Sequence, residues 1–455
     1  MSRKKNLTSE VTITELNFPN KGVGFFNEKR VIVKNTLVGQ KLRVTMSKKK
    51  GNYDGRILEI LEKSNIEIEP ECIDFGTCGG CTYQNIPYHE ELKIKEKMVL
   101  ELLSNGDIKD FKYLGIESSK SPQGYRNKIE FSFGDEEKGG ELALGMRKRQ
   151  SFYEVVTSKN CNIIDSDYKK ILLEVLKFFK NSNESFYHKS THTGTLRNLV
   201  IRKGYFTGEI LINLITTSNF CTDLSPLLDK LLNIPLDGKI VGFLQTENNS
   251  VADVVKNDKM ILIYGQNYFH DKLLGLKFKI SPFSFFQTNS QGAEQLYTTV
   301  KQFLETSENK IVFDLYCGTG TIAQIISDNA KEIVGVEIVP EAIDAANENA
   351  KLNNISNCKF IAGDVLKVID ELKVKPDILI LDPPRDGINL KVIKKLIKFR
   401  AEKIIYISCK PTSLVRDLGI FMEFGYKTEA VKLHDLFSRT YHVETICLMT
   451  RVNSN

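Results

Sequence analysis

Ile311-Val312-Phe313-Asp314-Leu315-Tyr316-Cys317-Gly318-Thr319-Gly320-Thr321 decides the fold. Its apolar start reads as a strand buried on both faces. The two glycines then let the backbone turn sharply and approach a ligand before a helix that opens near Ile322. The spacing is G-x-G, not the G-x-G-x-x-G of dinucleotide sites, so no pyrophosphate is required there.

Strand and helix alternate from about Lys310 onward, the rhythm of a doubly wound parallel sheet. Ile333-Val-Gly-Val-Glu337 ends in an acid about 20 residues past the glycine turn, where a carboxylate accepts ribose hydroxyls. Phe360-Ile-Ala-Gly-Asp364 ends the third strand in a second acid, where an adenine would lie. Asp377-Ile-Leu-Ile-Leu-Asp382-Pro-Pro-Arg385 ends the fourth at a proline-fixed turn. Any one of these acids alone would as readily be a helix N-cap. In this order, at the carboxyl ends of successive strands, they point to S-adenosylmethionine rather than NAD.

The fifth strand, Lys403 to Cys409, ends in a cysteine at the same sheet edge, followed by Lys410 and Pro411. Its thiol is placed like a nucleophile, and Lys410 is a cation that would favour the thiolate. His442-Val-Glu444 opens a last strand through Met449, and alternation puts His442 and Glu444 on one face. A carboxylate there is a candidate general base.

Upstream, short β-like runs at Val11–Ile13, Val23–Phe25, Val31–Val33, Leu42–Val44 and Ile57–Ile60 suggest a small OB-like barrel, with Lys48-Lys49-Lys50 between its last two strands. Residues 1–56 carry 13 Lys/Arg against four Asp/Glu, a net +9, which leaves −3 for the rest of a chain whose total is +6. A basic segment on a near-neutral enzyme fits a polyanionic partner. The chain's 41% hydrophobic and 26% charged residues are ordinary for a globular protein. Neither a signal-peptide core nor an apolar run near the ~20 residues of a membrane span is present, so a cytoplasmic protein with no membrane partner is expected.

Nine cysteines in a reducing compartment are not expected to pair as disulfides. Cys72-x5-Cys78-Gly-Gly-Cys81 in a glycine-rich loop, with Cys161 further on, suits a tetrahedral zinc or a 4Fe–4S cluster equally well by count.

Taken together these motifs resemble the bacterial RNA 5-methyluridine methyltransferases, in particular the iron–sulfur branch acting on 23S ribosomal RNA. Phe285-Phe-Gln287-Thr-Asn289 is similar to the family's F-x-Q-x-N motif, and Asp314-Leu-Tyr-Cys-Gly-Thr-Gly320 to its glycine loop. Asp382-Pro-Pro-Arg385, Ser408-Cys409-Lys410-Pro411 and His442-Val-Glu444 complete the set. Lys410 and Thr321 stand where many relatives carry asparagine. The resemblance implies Cys409 as nucleophile and Glu444 as base, with Gln287, Tyr316, Glu337, Asp364 and Asp382 as cofactor contacts. It selects 4Fe–4S, ligated by Cys72, Cys78, Cys81 and Cys161, and makes the barrel an RNA-binding TRAM module. Uracil carbon 5 is too weak a nucleophile to attack a methyl sulfonium unaided. Thiolate addition at carbon 6 activates it, and a base must then remove the original hydrogen.

The expected architecture is multidomain α/β. It comprises an OB-like TRAM barrel over residues 1–62, a mixed α+β iron–sulfur domain over 63–270, and a Rossmann-like methyltransferase domain over 271–455. A helix over about 88–105 is expected to pack with the catalytic domain. Ribosomal RNA is the expected partner, with no obligate protein partner. Rival readings are the same reaction on the tRNA T-loop, methylation of an exocyclic amine, and an idle RNA-binding assembly factor.

Overall fold

The computed structural model describes residues 7–151, 153–251, 258–305, 307–372 and 374–452. The first six residues of the basic segment lie outside this set. Strands Leu7–Thr12, Glu15–Asn17, Lys21–Phe26, Lys29–Lys34, Lys41–Lys49 and Asn52–Glu62 form a six-stranded sheet. It rolls onto a small core that includes Val11, Val31, Val33, Leu42 and Val44. The roll is tight: a Cβ on Gly24 would sit 2.4 Å from the Thr12 carbonyl oxygen, so only glycine fits this crossing. Glu15–Asn17 is a sixth strand too short to read from periodicity. Lys48 and Lys49 end the fifth strand, and Lys50 lies in the turn that follows.

A second, seven-stranded sheet runs from Val155–Val156 through Leu142–Arg147, Lys128–Asp135, Leu196–Lys203, Glu209–Thr216 and Lys239–Glu247 to Lys259–Gly265. Helices Ser166–Lys180 and Ser225–Asn233 bury one face of it through Tyr168, Ile171, Leu227 and Leu231. The boundary expected at 270 falls inside strand Phe269–Leu273 of the hairpin that follows this sheet.

The catalytic sheet has eight strands: Lys112–Glu117 (β1), Ser307–Leu315 (β2), Ala330–Glu337 (β3), Cys358–Ala362 (β4), Ile378–Leu381 (β5), Lys403–Ser408 (β6), Tyr426–His434 (β7) and Glu444–Arg451 (β8). Their order is β4-β3-β2-β5-β6-β8-β7-β1. The run β4 to β6 is parallel, β8 inserts antiparallel between β6 and β7, and β1 lies parallel to β7 at the edge. Strand order reverses between β2 and β5, which opens a crevice at their carboxyl ends. Because β8 is antiparallel, its first residue lies at the same edge as the last residues of β2 to β6.

Helix Tyr88–Asn105 buries Met98, Val99 and Leu103 with Leu414 and Leu418 of helix Pro411–Glu423, in the core of the catalytic sheet. The strand that follows it joins the sheet as β1, which sequence reading did not anticipate. Among the described residues no helix is long and apolar enough to cross a membrane.

Candidate active site and cysteine loop

The glycine turn after β2 is built by conformation. Gly318 and Gly320 have φ of 54° and 68°, and a Cβ on Gly320 would lie 2.5 Å from the Phe360 ring. Tyr316 takes φ of 67° without being glycine, a strain of the kind that collects at functional sites. Glu337 is held on both oxygens, by the Gly318 N–H at 3.2 Å and the Val339 N–H at 3.1 Å. Asp364 accepts the Leu366 N–H at 2.9 Å, so it does cap a helix, yet it also faces the cleft.

Gln287 comes from a different part of the chain. Asn127, at the start of strand Lys128–Asp135, donates to the Gln287 carbonyl at 2.9 Å and to Ser290 Oγ at 2.8 Å. Asn289 caps helix Ser290–Leu304 through the Gly292 N–H and donates to the Leu436 carbonyl, both at 2.9 Å. The F-x-Q-x-N segment therefore gains its place from the second sheet, from its own helix cap and from the β7–β8 connection.

β6 and β8 pair as far as Ser408 opposite Thr445; the chain bends at Cys409 just past that pair, and Glu444 opens β8 just before it, so both lie at one sheet edge. All seven residues singled out for chemistry or cofactor contact line one cleft of about 1630 Å³: Gln287, Tyr316, Glu337, Asp364, Asp382, Cys409 and Glu444. Arg126, Phe285, Arg385, Tyr441 and His442 line it as well.

Electrostatics in the cleft are dominated by buried acids. Burial pushes Asp382 up to about 7, and burial together with Asp382 and Glu337 pushes Asp314 up to about 8. Asp314 Oδ1 is buried without a hydrogen-bond partner. Burial and Asp382 raise Glu444, which is 4% exposed, to about 8, while Arg385 pulls it down. The Cys409 thiol is pushed up to about 11 by burial, then by Glu444 and Asp382, again opposed by Arg385. The cation at the thiol is thus Arg385 and not Lys410. Successive residues along an extended chain face opposite ways, so the neighbour in sequence is not the neighbour in space. The motif Asp382-Pro-Pro-Arg385 held the signal, at its last position. Burial lowers His442 to about 4, so the ring is neutral in the cleft.

This donor set fits S-adenosylmethionine. A sulfonium or an ammonium beside Asp382, which lines the cleft, would relieve a carboxyl that now resists ionisation, and Glu337 and Asp364 offer acceptors to a nucleoside.

Cys72, Cys78, Cys81 and Cys161 are all free thiols. Burial is the largest cause raising each thiol, and Cys78, Cys81 and Cys161 are raised further by other thiols of the set. Polar hydrogens already point at two of them: the Gly80 N–H at 3.4 Å from Cys78 Sγ, and the Gln84 amide at 3.6 Å from Cys81 Sγ. Arg149 lies over the Phe75 ring, 5.7 Å from its centroid, and donates to the Cys81 carbonyl. Among the described residues, however, no group of three or more His, Cys, Asp or Glu is arranged to hold a metal ion. Gly79 and Gly80 of the cysteine loop reach the rim of the cleft.

An open sheet with a short glycine turn, acids at successive strand ends and a thiol beside a carboxyl defines a Rossmann-like methyltransferase. Residues 239–452 match the family model described as tRNA (Uracil-5-)-methyltransferase. The chain is 48% identical, over 98% of each sequence, to a protein of Clostridium acetobutylicum described as an uncharacterized RNA methyltransferase. It is 46% identical to a counterpart from Caldanaerobacter subterraneus subsp. tengcongensis, over 97% of this chain and 98% of that one. The chain belongs to this family of S-adenosylmethionine-dependent RNA (uracil-5)-methyltransferases. Its fold is similar to that of the Pyrococcus abyssi tRNA (uracil-54, C5)-methyltransferase in complex with S-adenosyl-L-homocysteine. That likeness has a TM-score of 0.76 at 22% identity, over 97% of this chain and all of that one.

Proposed function

We propose that this methyltransferase modifies uridine carbon 5 in 23S ribosomal RNA in the cytoplasm, with Cys409 as nucleophile and Glu444 as base. The observation that carries the reading is that the antiparallel pairing of β6 and β8 brings Cys409 and Glu444 to one sheet edge, where both line the acid-lined cleft. When bound, S-adenosylmethionine supplies an electrophilic methyl group. Gln287, Tyr316, Glu337, Asp364 and Asp382 hold it.

The chain's own residues do the rest. The Cys409 thiolate adds to uracil carbon 6; the C–S bond forms as the carbon 5–carbon 6 π pair shifts to join carbons 4 and 5 and the carbonyl π pair moves onto the carbon 4 oxygen, an enolate. Carbon 5, now nucleophilic, takes the methyl group. Glu444 then removes the original hydrogen from carbon 5, the double bond reforms, and the C–S bond breaks to return the thiolate. Arg385 favours the thiolate at the start and at the end.

Cys72, Cys78, Cys81 and Cys161 ligate a 4Fe–4S cluster in this reading, which is supported by their spacing in sequence, the N–H groups aimed at sulfur and the nearby Arg149. Four such cysteines favour ribosomal RNA through the resemblance to the iron–sulfur branch. Transfer RNA is the second reading, favoured by the description of the matching family and by the P. abyssi enzyme. The test is tritium release from unmodified ribosomal and transfer RNA carrying 5-tritiated uridine. Release from ribosomal RNA, absent in Cys409→Ala, is the expected result. Release from transfer RNA alone selects the second reading, and no release from either rejects the Cys409 mechanism.

A further inference from the structure

Behind one wall of the cleft lies a buried charge cluster that the reaction does not use. The Lys95 side chain is 0% exposed, and Nζ donates to Glu91 Oε1 at 2.7 Å and Asp435 Oδ1 at 2.6 Å. Tyr88 and Ser438 donate their hydroxyls to Asp435 Oδ2 at 2.7 and 3.0 Å. Glu91 Oε1 also accepts the Arg439 backbone N–H at 2.7 Å. The Arg439 guanidinium lies 3.7 Å from Glu91 Oε2 and donates to the carbonyls of Tyr83 and Ile86. Two carboxylates thus face two cations. None of Tyr88, Glu91, Lys95 and Asp435 lines the cleft.

What the cluster grips is the β7–β8 connection. That segment places Phe437, Thr440, Tyr441 and His442 on the cleft wall and runs directly into Glu444. Arg439 is held at φ of 66°, a conformation that persists only where its surroundings impose it. Cys409, by contrast, is carried by β6, outside the gripped segment. Buried ion pairs add little to stability over an apolar replacement, and fixing one geometry is a better-attested use.

We propose that Lys95 is a positioning residue for proton abstraction, holding the β7–β8 connection so that the target base rests with its carbon 5 against Glu444. The proposal rests on the assignment of Cys409 and Glu444 above. It separates the two halves of the reaction: attack by Cys409 survives loss of Lys95, whereas removal of the carbon 5 hydrogen and release of the thiolate slow.

The experiment uses the full chain with S-adenosylmethionine and unmodified 23S ribosomal RNA, measuring denaturant-stable protein–RNA adduct and tritium release in the same tubes. Lys95→Met is compared with Tyr88→Phe, which removes one hydroxyl and no charge and carries the test where Lys95→Met does not fold. Glu444→Gln is the reference for blocked abstraction. Misplacing reacting groups by about 1 Å can cost about 100-fold, so Lys95→Met should release tritium about 100-fold more slowly and Tyr88→Phe about fivefold more slowly. In both, the adduct fraction should rise toward that of Glu444→Gln while S-adenosyl-L-homocysteine affinity, read by calorimetry, stays unchanged. Adduct that falls in step with turnover, or a Tyr88→Phe protein indistinguishable from the parent, overturns the proposal while Glu444→Gln still accumulates adduct. A Glu444→Gln protein that forms no adduct overturns the base assignment and the proposal together.

Discussion

Raising the pH should accelerate this enzyme steeply, in two stages. The proposed mechanism needs Cys409 and Glu444 both ionised, yet burial and neighbouring acids push them up to about 11 and about 8. Below about pH 8 two protons must leave, so kcat/KM should climb about 100-fold per pH unit; above it only the thiol remains, and the climb falls to about tenfold. At pH 7.5 about one thiol in 3000 is ionised by this reckoning, a cost of roughly 5 kcal/mol on the first step. The assay is tritium release at limiting RNA and limiting cofactor, at constant ionic strength, because a bound sulfonium would itself draw both values down. Glu444→Gln, which blocks release, should form the denaturant-stable adduct with only the shallower, about tenfold rise per pH unit, and Arg385→Ala should move the upper stage to still higher pH. A kcat/KM that is flat between pH 7 and 9 would refute the reasoning.

The same carboxyl should destabilise the fold in alkali. Glu444 titrates at about 8 against an ordinary 4.5, so its contribution is fully present below 4.5 and lost as pH rises toward 8. Glu444→Gln should therefore melt a few degrees above the parent at pH 9 and close to it at pH 5; equal melting at both contradicts the shift. Gly320→Ala forces a Cβ into a left-handed residue and onto Phe360, and should cost about 1–3 kcal/mol and weaken S-adenosyl-L-homocysteine binding at least about tenfold in calorimetry. Cys81→Ser should lose iron and visible absorbance and bind RNA more weakly while keeping S-adenosyl-L-homocysteine affinity. Full RNA affinity in iron-free protein would show that the cysteine loop does not need its cluster to present RNA to the cleft.

The common edge of Glu337, Asp364 and Asp382 was legible because each acid stands at or just past a strand end and strands recur at regular spacing. Cys409 and Glu444 were legible beside strand ends too, although their meeting at one sheet edge depends on β8 running antiparallel. Arg385 escaped because charge was assigned by adjacency in sequence. Lys95 escaped more completely: an i,i+4 pair with Glu91 on an amphipathic helix reads as a solvated face, and only Asp435, 340 residues away, explains its burial. Likewise nothing local in Lys112–Glu117 says that it borders β7.

That edge strand has a consequence for synthesis of the chain. Tyr88 and its hydrogen-bond partner Asp435 are separated by 347 residues. At about 5–20 residues per second, translation takes roughly 20–70 s to deliver the partner after the helix has left the ribosome. Through that interval an apolar helix face, the Lys95–Glu91 pair and an unpaired strand wait without their cover. The barrel and the seven-stranded sheet can close early, whereas the catalytic sheet is completed only when Tyr426–His434 and Glu444–Arg451 emerge, so the cleft forms long after the first elements that build it.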